Sequence, residues 1–89
     1  MTRERWYKFS KREQLSAIFA ELERACVWQG KNEENFKSAL ERGLELADLS
    51  IDDPKWKGET FTLFVLRNEI SKFYIHERTG SIQKLASVL

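Results

Sequence analysis

One histidine, one cysteine and a row of carboxylates are the residues of this chain with chemistry to offer. His76 could serve as a general base or a metal ligand. It has no second histidine to complete a metal set and no neighbouring cysteine, and the bland reading is a surface histidine near a helix end. Cys26 falls on an apolar stripe, where a thiol packs as a small hydrophobe. A nucleophile would need an accessible, electropositive setting instead. Glu41, Glu45, Asp48 and Asp52 share one side of a helical repeat. Carboxylate metal sites draw ligands from facing helices and often include a histidine, so this row reads as a solvated face or one paired with basic residues. There is no glycine-rich phosphate loop, no Ser-His-Asp set and no dinucleotide fingerprint. The expectation is a protein that is not an enzyme, with no cofactor and no metal.

These residues must be held by a small scaffold. Eighty-nine residues make one domain, read as a single helical domain over 1–89. A chain this short buries a modest share of its surface, so association with a second subunit would help its stability. An apolar share of 42% is too high for disorder. A single cysteine excludes an intrachain disulfide and suits a reducing compartment. The first residues lack an apolar run of signal-peptide type, and no apolar stretch approaches ~20 residues, the length that spans a membrane. The expected setting is cytoplasmic.

The central stretch is FKSALERGLELADLSIDDPKW, residues 36–56. At helical spacing, Phe36, Ala39, Leu40, Gly43, Leu44, Leu46, Ala47 and Ile51 share one broad apolar face, and the acidic row takes the other. Asp53-Pro54 closes this helix, because the residue before a proline is pushed out of the α region. Gly43 costs ~1 kcal/mol against alanine inside a helix. Its presence suggests close packing there, against Phe19 or a tryptophan. Upstream, Ser10 and Glu13 form a capping-box pair, followed by Leu15, Ile18, Phe19, Leu22, Ala25 and Cys26 on one stripe. Gly30 can end that helix in the left-handed conformation, and Asn32 can cap the next.

The sequence therefore predicts an all-α three-helix bundle. Helix 1 covers about 11–29, helix 2 about 33–50, and helix 3 runs from about 54 or 59 to 77. Ser81 can cap a short C-terminal helix over 82–89. Residues 61–66 form a continuous apolar run that could instead be a buried strand. Helix is favoured because Leu63, Leu66, Ile70, Phe73 and Tyr74 keep helical spacing and no comparable partner strand exists.

Charge is unevenly distributed: +4 over residues 1–12, −6 over 13–53 and +3 over 54–89. Residues 1–9 read as a basic N-terminal arm. Arg3, Arg5, Lys8, Lys11 and Arg12, with Trp6, Tyr7 and Phe9 interleaved, could neutralise and stack on single-stranded nucleic acid. The bland reading is that the basic ends fold over the acidic middle. Trp28 falls opposite the stripe of helix 1, and Phe61, Phe64, Val65 and Ile75 fall away from the stripe of helix 3. One small core cannot absorb both sets. Either the short C-terminal helix covers them, or Trp28, Phe61, Phe64 and Val65 are the interface of a homodimer or of a complex with a protein partner.

The run ALERGLELADLSIDDPKW, followed by LRNEISKFY, resembles a group of small, uncharacterised helical proteins of bacteria and archaea. The likeness runs from about Trp6 to Tyr74 and includes an Asp-Leu-x-x-x-Asp-Pro junction at Asp48, Leu49, Asp53 and Pro54. It implies a helical fold and carries no active site. Some such proteins are similar to partners of minimal nucleotidyltransferases, or to helical domains that bind or cleave RNA. The cleaving kind carries an arginine shortly before a histidine. Here Arg67 precedes His76 with eight residues between, and Arg78 follows it, a departure that argues against RNase activity. The leading expectation is a small helical protein–protein interaction module. The alternative is a nucleic-acid-associated accessory protein using its basic N-terminal residues.

Overall fold

Local capping chemistry places most of the helix boundaries. The computed structural model describes residues 1–75, and these form four α-helices joined by short turns, with no strand among them. Helix α1 is a single turn, Arg3–Trp6, whose Arg5 amide is capped by the Thr2 hydroxyl. Helix α2, Lys11–Trp28, starts at the expected capping box: the Glu13 amide donates to Ser10 Oγ at 3.1 Å, and the Ser10 amide donates to Glu13 Oε1 at 2.9 Å. These two bonds satisfy donors that an open helix start leaves unpaired. The helix ends at Gly30, where φ is +78° and a side chain would strain the backbone. The Asn32 side chain accepts from the Asn35 amide and opens helix α3, Glu33–Ile51.

After α3 the chain departs from the predicted third helix. Asp53 caps a lone 3₁₀ turn, Pro54–Trp56, and Gly58 at φ +83° then redirects the chain. Helix α4 begins only at Phe61 and runs to Tyr74. Of the two expected starts, the one near 59 stands within two residues of Phe61, and the one at 54 gives way to the 3₁₀ turn. Proline suits the first turn, but Lys57-Gly58 ends it before an α-helical ladder can form. Residues 61–66 are helix and not strand. His76 and the predicted helix over 82–89 lie outside the described residues.

Helix α3 is central, packed against α2, α4, α1 and the 3₁₀ turn. The core joins Ile18, Leu22 and Ala25 of α2 to Phe36, Ala39, Leu40 and Ala47 of α3. From the other side come Leu63, Leu66, Ile70 and Phe73 of α4, with Trp56 closing one end. These positions follow the predicted stripes. Leu44 differs: it is half-buried at the edge of the core, whereas Leu40 is fully enclosed. Gly43 also differs from expectation. A Cβ there would stand 3.7 Å from Ile70 Cδ1 and 3.9 Å from Glu21 Cβ, which is ordinary contact, and neither Phe19 nor a tryptophan is among these neighbours.

Candidate interaction surface

The spacing that buries Leu63, Leu66, Ile70 and Phe73 turns the remaining apolar residues of α4 outward. Phe61 is 79% exposed, Phe64 47%, Val65 44% and Ile75, at the C-cap, 62%. Phe61, Phe64 and Val65 are spaced three and four residues apart, so they lie side by side on the helix surface. No other described part of the chain carries so many large exposed apolar side chains on one element; elsewhere Met1, Phe9 and Val27 are exposed.

Trp28 does not join this group. It is half-buried and packs against the core from the end of α2, so the four expected interface residues divide into three on α4 and one at the core edge. The expectation placed Trp28 by ideal helical angles alone. Its wide indole reaches back to the core edge from a flanking position.

The basic N-terminal residues are not carried on a free arm. Trp6 is fully buried, and its indole Nε1 donates to Ser50 Oγ at 3.0 Å, tying α1 to the end of α3. Arg3 pairs with Asp52 at 3.5 Å, and Lys11 pairs with Glu59 and lies 5.5 Å over the Trp56 ring. Arg5, Lys8 and Arg12 are exposed. An indole has too much apolar area to stay in water when a pocket with a hydrogen-bond acceptor is available.

Beneath α1 lies a polar network that the sequence reading missed. Gln14 is fully buried. Its amide nitrogen donates to the Trp6 carbonyl at 3.0 Å and to Asp53 Oδ2 at 2.9 Å, while its oxygen accepts from Trp56 Nε1 at 2.6 Å. Lys55 Nζ donates to the Tyr7 carbonyl at 2.9 Å and to Asp53 Oδ2 at 2.5 Å. Burial pushes the Asp53 carboxyl up, but the donations from Lys55 and Gln14 and the lysine charge outweigh it and hold the carboxyl below its ordinary value. Both missed polar residues sit on the apolar stripes: Gln14 four before Ile18, and Ser50 three after Ala47. A polar residue in line with a buried stripe is the signal that was present.

The acidic row is largely paired. Asp48 meets Arg67 at 2.5 Å, Asp52 meets Arg3, and Glu41 accepts from the Tyr74 hydroxyl at 2.7 Å. That bond and the Glu41 charge push the Tyr74 phenol up. No group of three or more His, Cys, Asp or Glu side chains gathers as a metal would need among the described residues. The half-buried Cys26 has its thiol pushed up by burial and by the Glu23 charge, so it stays protonated and weakly nucleophilic near neutral pH. None of the described helices is long and apolar enough to cross a membrane. Comparison with protein-family models, with curated proteins and with solved structures finds no match to this chain.

Proposed function

We propose that this chain is a small helical interaction module that forms a homodimer through the outer face of α4. The observation that carries the reading is the exposure of Phe61, Phe64 and Val65 side by side, with Ile75 farther along. Burying a large apolar side chain is worth about 1.5–3 kcal/mol relative to leaving it in water. A two-fold axis across α4 would cover the patch of both subunits at once, because the same surface meets itself. Trp28 has no part in this contact, since it already serves the core edge. We place this module in the cytoplasm, a setting that suits a chain with a single cysteine.

The test is sedimentation equilibrium across a concentration series. Wild-type protein should associate in the micromolar range, and the double variant Phe61→Glu, Phe64→Glu should remain monomeric with an unchanged circular-dichroism spectrum. A wild-type protein that stays monomeric at millimolar concentration rules the dimer out.

The nucleic-acid alternative, such as an accessory partner of a minimal nucleotidyltransferase, has less support. Trp6 is withdrawn from any stacking platform, and Arg3 and Lys11 are held in ion pairs. Arg5, Lys8 and Arg12 remain as exposed bases beside Tyr7 and Phe9. Binding to single-stranded RNA at about 50 mM salt, weakening as salt rises, would revive it.

A further inference from the structure

Residues 1–9 are held against the bundle in the manner of a bound peptide. Within this segment Trp6 is buried, Tyr7 is half-buried and the rest are exposed. Among the described residues, its backbone-to-backbone hydrogen bonds all close within it: Trp6 donates to the Thr2 carbonyl, Tyr7 to Arg3, Lys8 to Arg5 and Phe9 to Trp6. Its ties to the bundle run through side chains. The Trp6 indole donates to Ser50 Oγ, Gln14 Nε2 donates to the Trp6 carbonyl, and Lys55 Nζ donates to the Tyr7 carbonyl. The same ammonium lies 5.9 Å over the Tyr7 ring, and Arg3 pairs with Asp52. A single helical turn has no stability of its own in water, so the segment takes its shape from these contacts.

The receiving groups have anchors of their own. Ser50 Oγ donates to the Leu46 carbonyl at 2.8 Å, Gln14 is held by Asp53 and Trp56, and Lys55 is held by Asp53. A site whose polar groups are already oriented loses little freedom when it is filled. Trp6 also lies outside the cluster that forms the main core, so its withdrawal leaves that core closed. Along one edge the seam is incompletely filled. A groove of about 400 Å³ is lined there by Met1 and Phe9 from the segment and by Ala17, Ala20 and Leu46 from α2 and α3.

We propose that Gln14, Ser50 and Lys55 build a peptide-binding site and that residues 1–9 are its resident, displaceable occupant. A partner protein displaces them with a segment that carries an arginine three residues before a Trp-Tyr pair. The resident segment displays each element of this recognition. The indole fills a hollow with a hydroxyl acceptor, and two successive carbonyls are gripped by an amide and an ammonium. The tyrosine ring lies under that ammonium, and the arginine faces Asp52. A buried aromatic anchor carries most of the binding energy of such a segment, so the tryptophan sets specificity. The site shares no residue with the exposed face of α4, and it stands or falls separately from the dimer.

The test has two arms. In native-state hydrogen exchange on the wild-type chain, the Trp6 indole N–H should exchange at least about a hundredfold faster than the Leu40 and Ile70 amides, with little dependence on denaturant, as local opening requires. Exchange of all three together would make Trp6 part of the core and overturn the proposal. The second arm adds a synthetic peptide of residues 1–9 to the full chain carrying Trp6→Ala. In heteronuclear NMR the Gln14 side-chain amide and the Ser50 backbone amide should shift saturably. The same peptide with Trp6→Ala should bind at least about tenfold more weakly, as for loss of an anchor. The wild-type chain, whose own segment competes at high effective concentration, should also bind the peptide at least about tenfold more weakly. No binding to a folded Trp6→Ala chain, or equal binding by wild type, would overturn the proposal. Should Trp6→Ala not fold, the exchange arm on the wild-type chain decides alone.

Discussion

Gln14 Nε2 stands 2.9 Å from Asp53 Oδ2, and this buried bond joins the first turn of α2 to the turn that follows α3, across 39 residues of sequence. The same side chain also holds the Trp6 carbonyl and the Trp56 indole. One amide therefore fixes α1, α2 and the 3₁₀ turn relative to one another. Its two donors and one acceptor have no water to fall back on.

Gln14→Leu should be among the most damaging single substitutions. It keeps an apolar volume but leaves the Trp56 Nε1 donor without its partner and weakens the hold on the Trp6 carbonyl and Asp53, which keep the Phe9 amide and Lys55. An expected loss of about 2–4 kcal/mol follows from orphaning buried groups at about 1–3 kcal/mol each, without full additivity. Urea denaturation measures it. A loss below about 0.5 kcal/mol, the level of an ordinary surface change, would mean the network contributes little.

Asp53 should give the protein an acid-sensitive component of stability. Its carboxyl is lowered in the folded state from an ordinary value of 3.8. The unfolded chain therefore takes up a proton first as pH falls. The contribution is fully present well above that ordinary value and is lost as pH drops through the lower folded value. Wild type and Asp53→Asn should differ most near neutral pH and converge in acid. Parallel stability curves down to strongly acidic pH would contradict this.

Gly43→Ala should stabilise the protein. The added Cβ meets Ile70 and Glu21 at ordinary contact distance, so the change is not opposed by a clash. Alanine then contributes up to about 1 kcal/mol through helix propensity and a less flexible unfolded chain. A higher melting temperature is the expected result, and a lower one would mean that α3 and its neighbours sit closer than these distances.

Leu40 and Leu44 lie one helical turn apart on the same apolar face but differ in enclosure. Leu40→Ala should cost about 2–5 kcal/mol, because it opens a cavity in a sealed core. Leu44→Ala should cost less, below about 2 kcal/mol, since solvent can relax into the edge site. Equal losses in chemical denaturation would place both residues at the centre.

Features whose partners lie within a few residues were legible in the amino-acid order alone. The Ser10–Glu13 capping box, the Asn32 cap, the Gly30 terminator and the stripes Ile18–Leu22–Ala25 and Leu63–Leu66–Ile70–Phe73 all stand where spacing put them. The outward face of Phe61, Phe64 and Val65 was legible for the same reason, because helical angles alone assign sides. The remaining features needed the folded chain. Trp6 could read as a stacking residue on a free arm until Ser50, 44 residues away, supplied an acceptor inside a buried pocket. Gln14 had no visible partner until the fold brought Trp6, Asp53 and Trp56 around it. Trp28 changed sides because a large ring reaches past the angle of its own Cα. For Trp6 and Gln14 the deciding contact lies far along the chain, and its energy depends on burial that no local window of sequence contains.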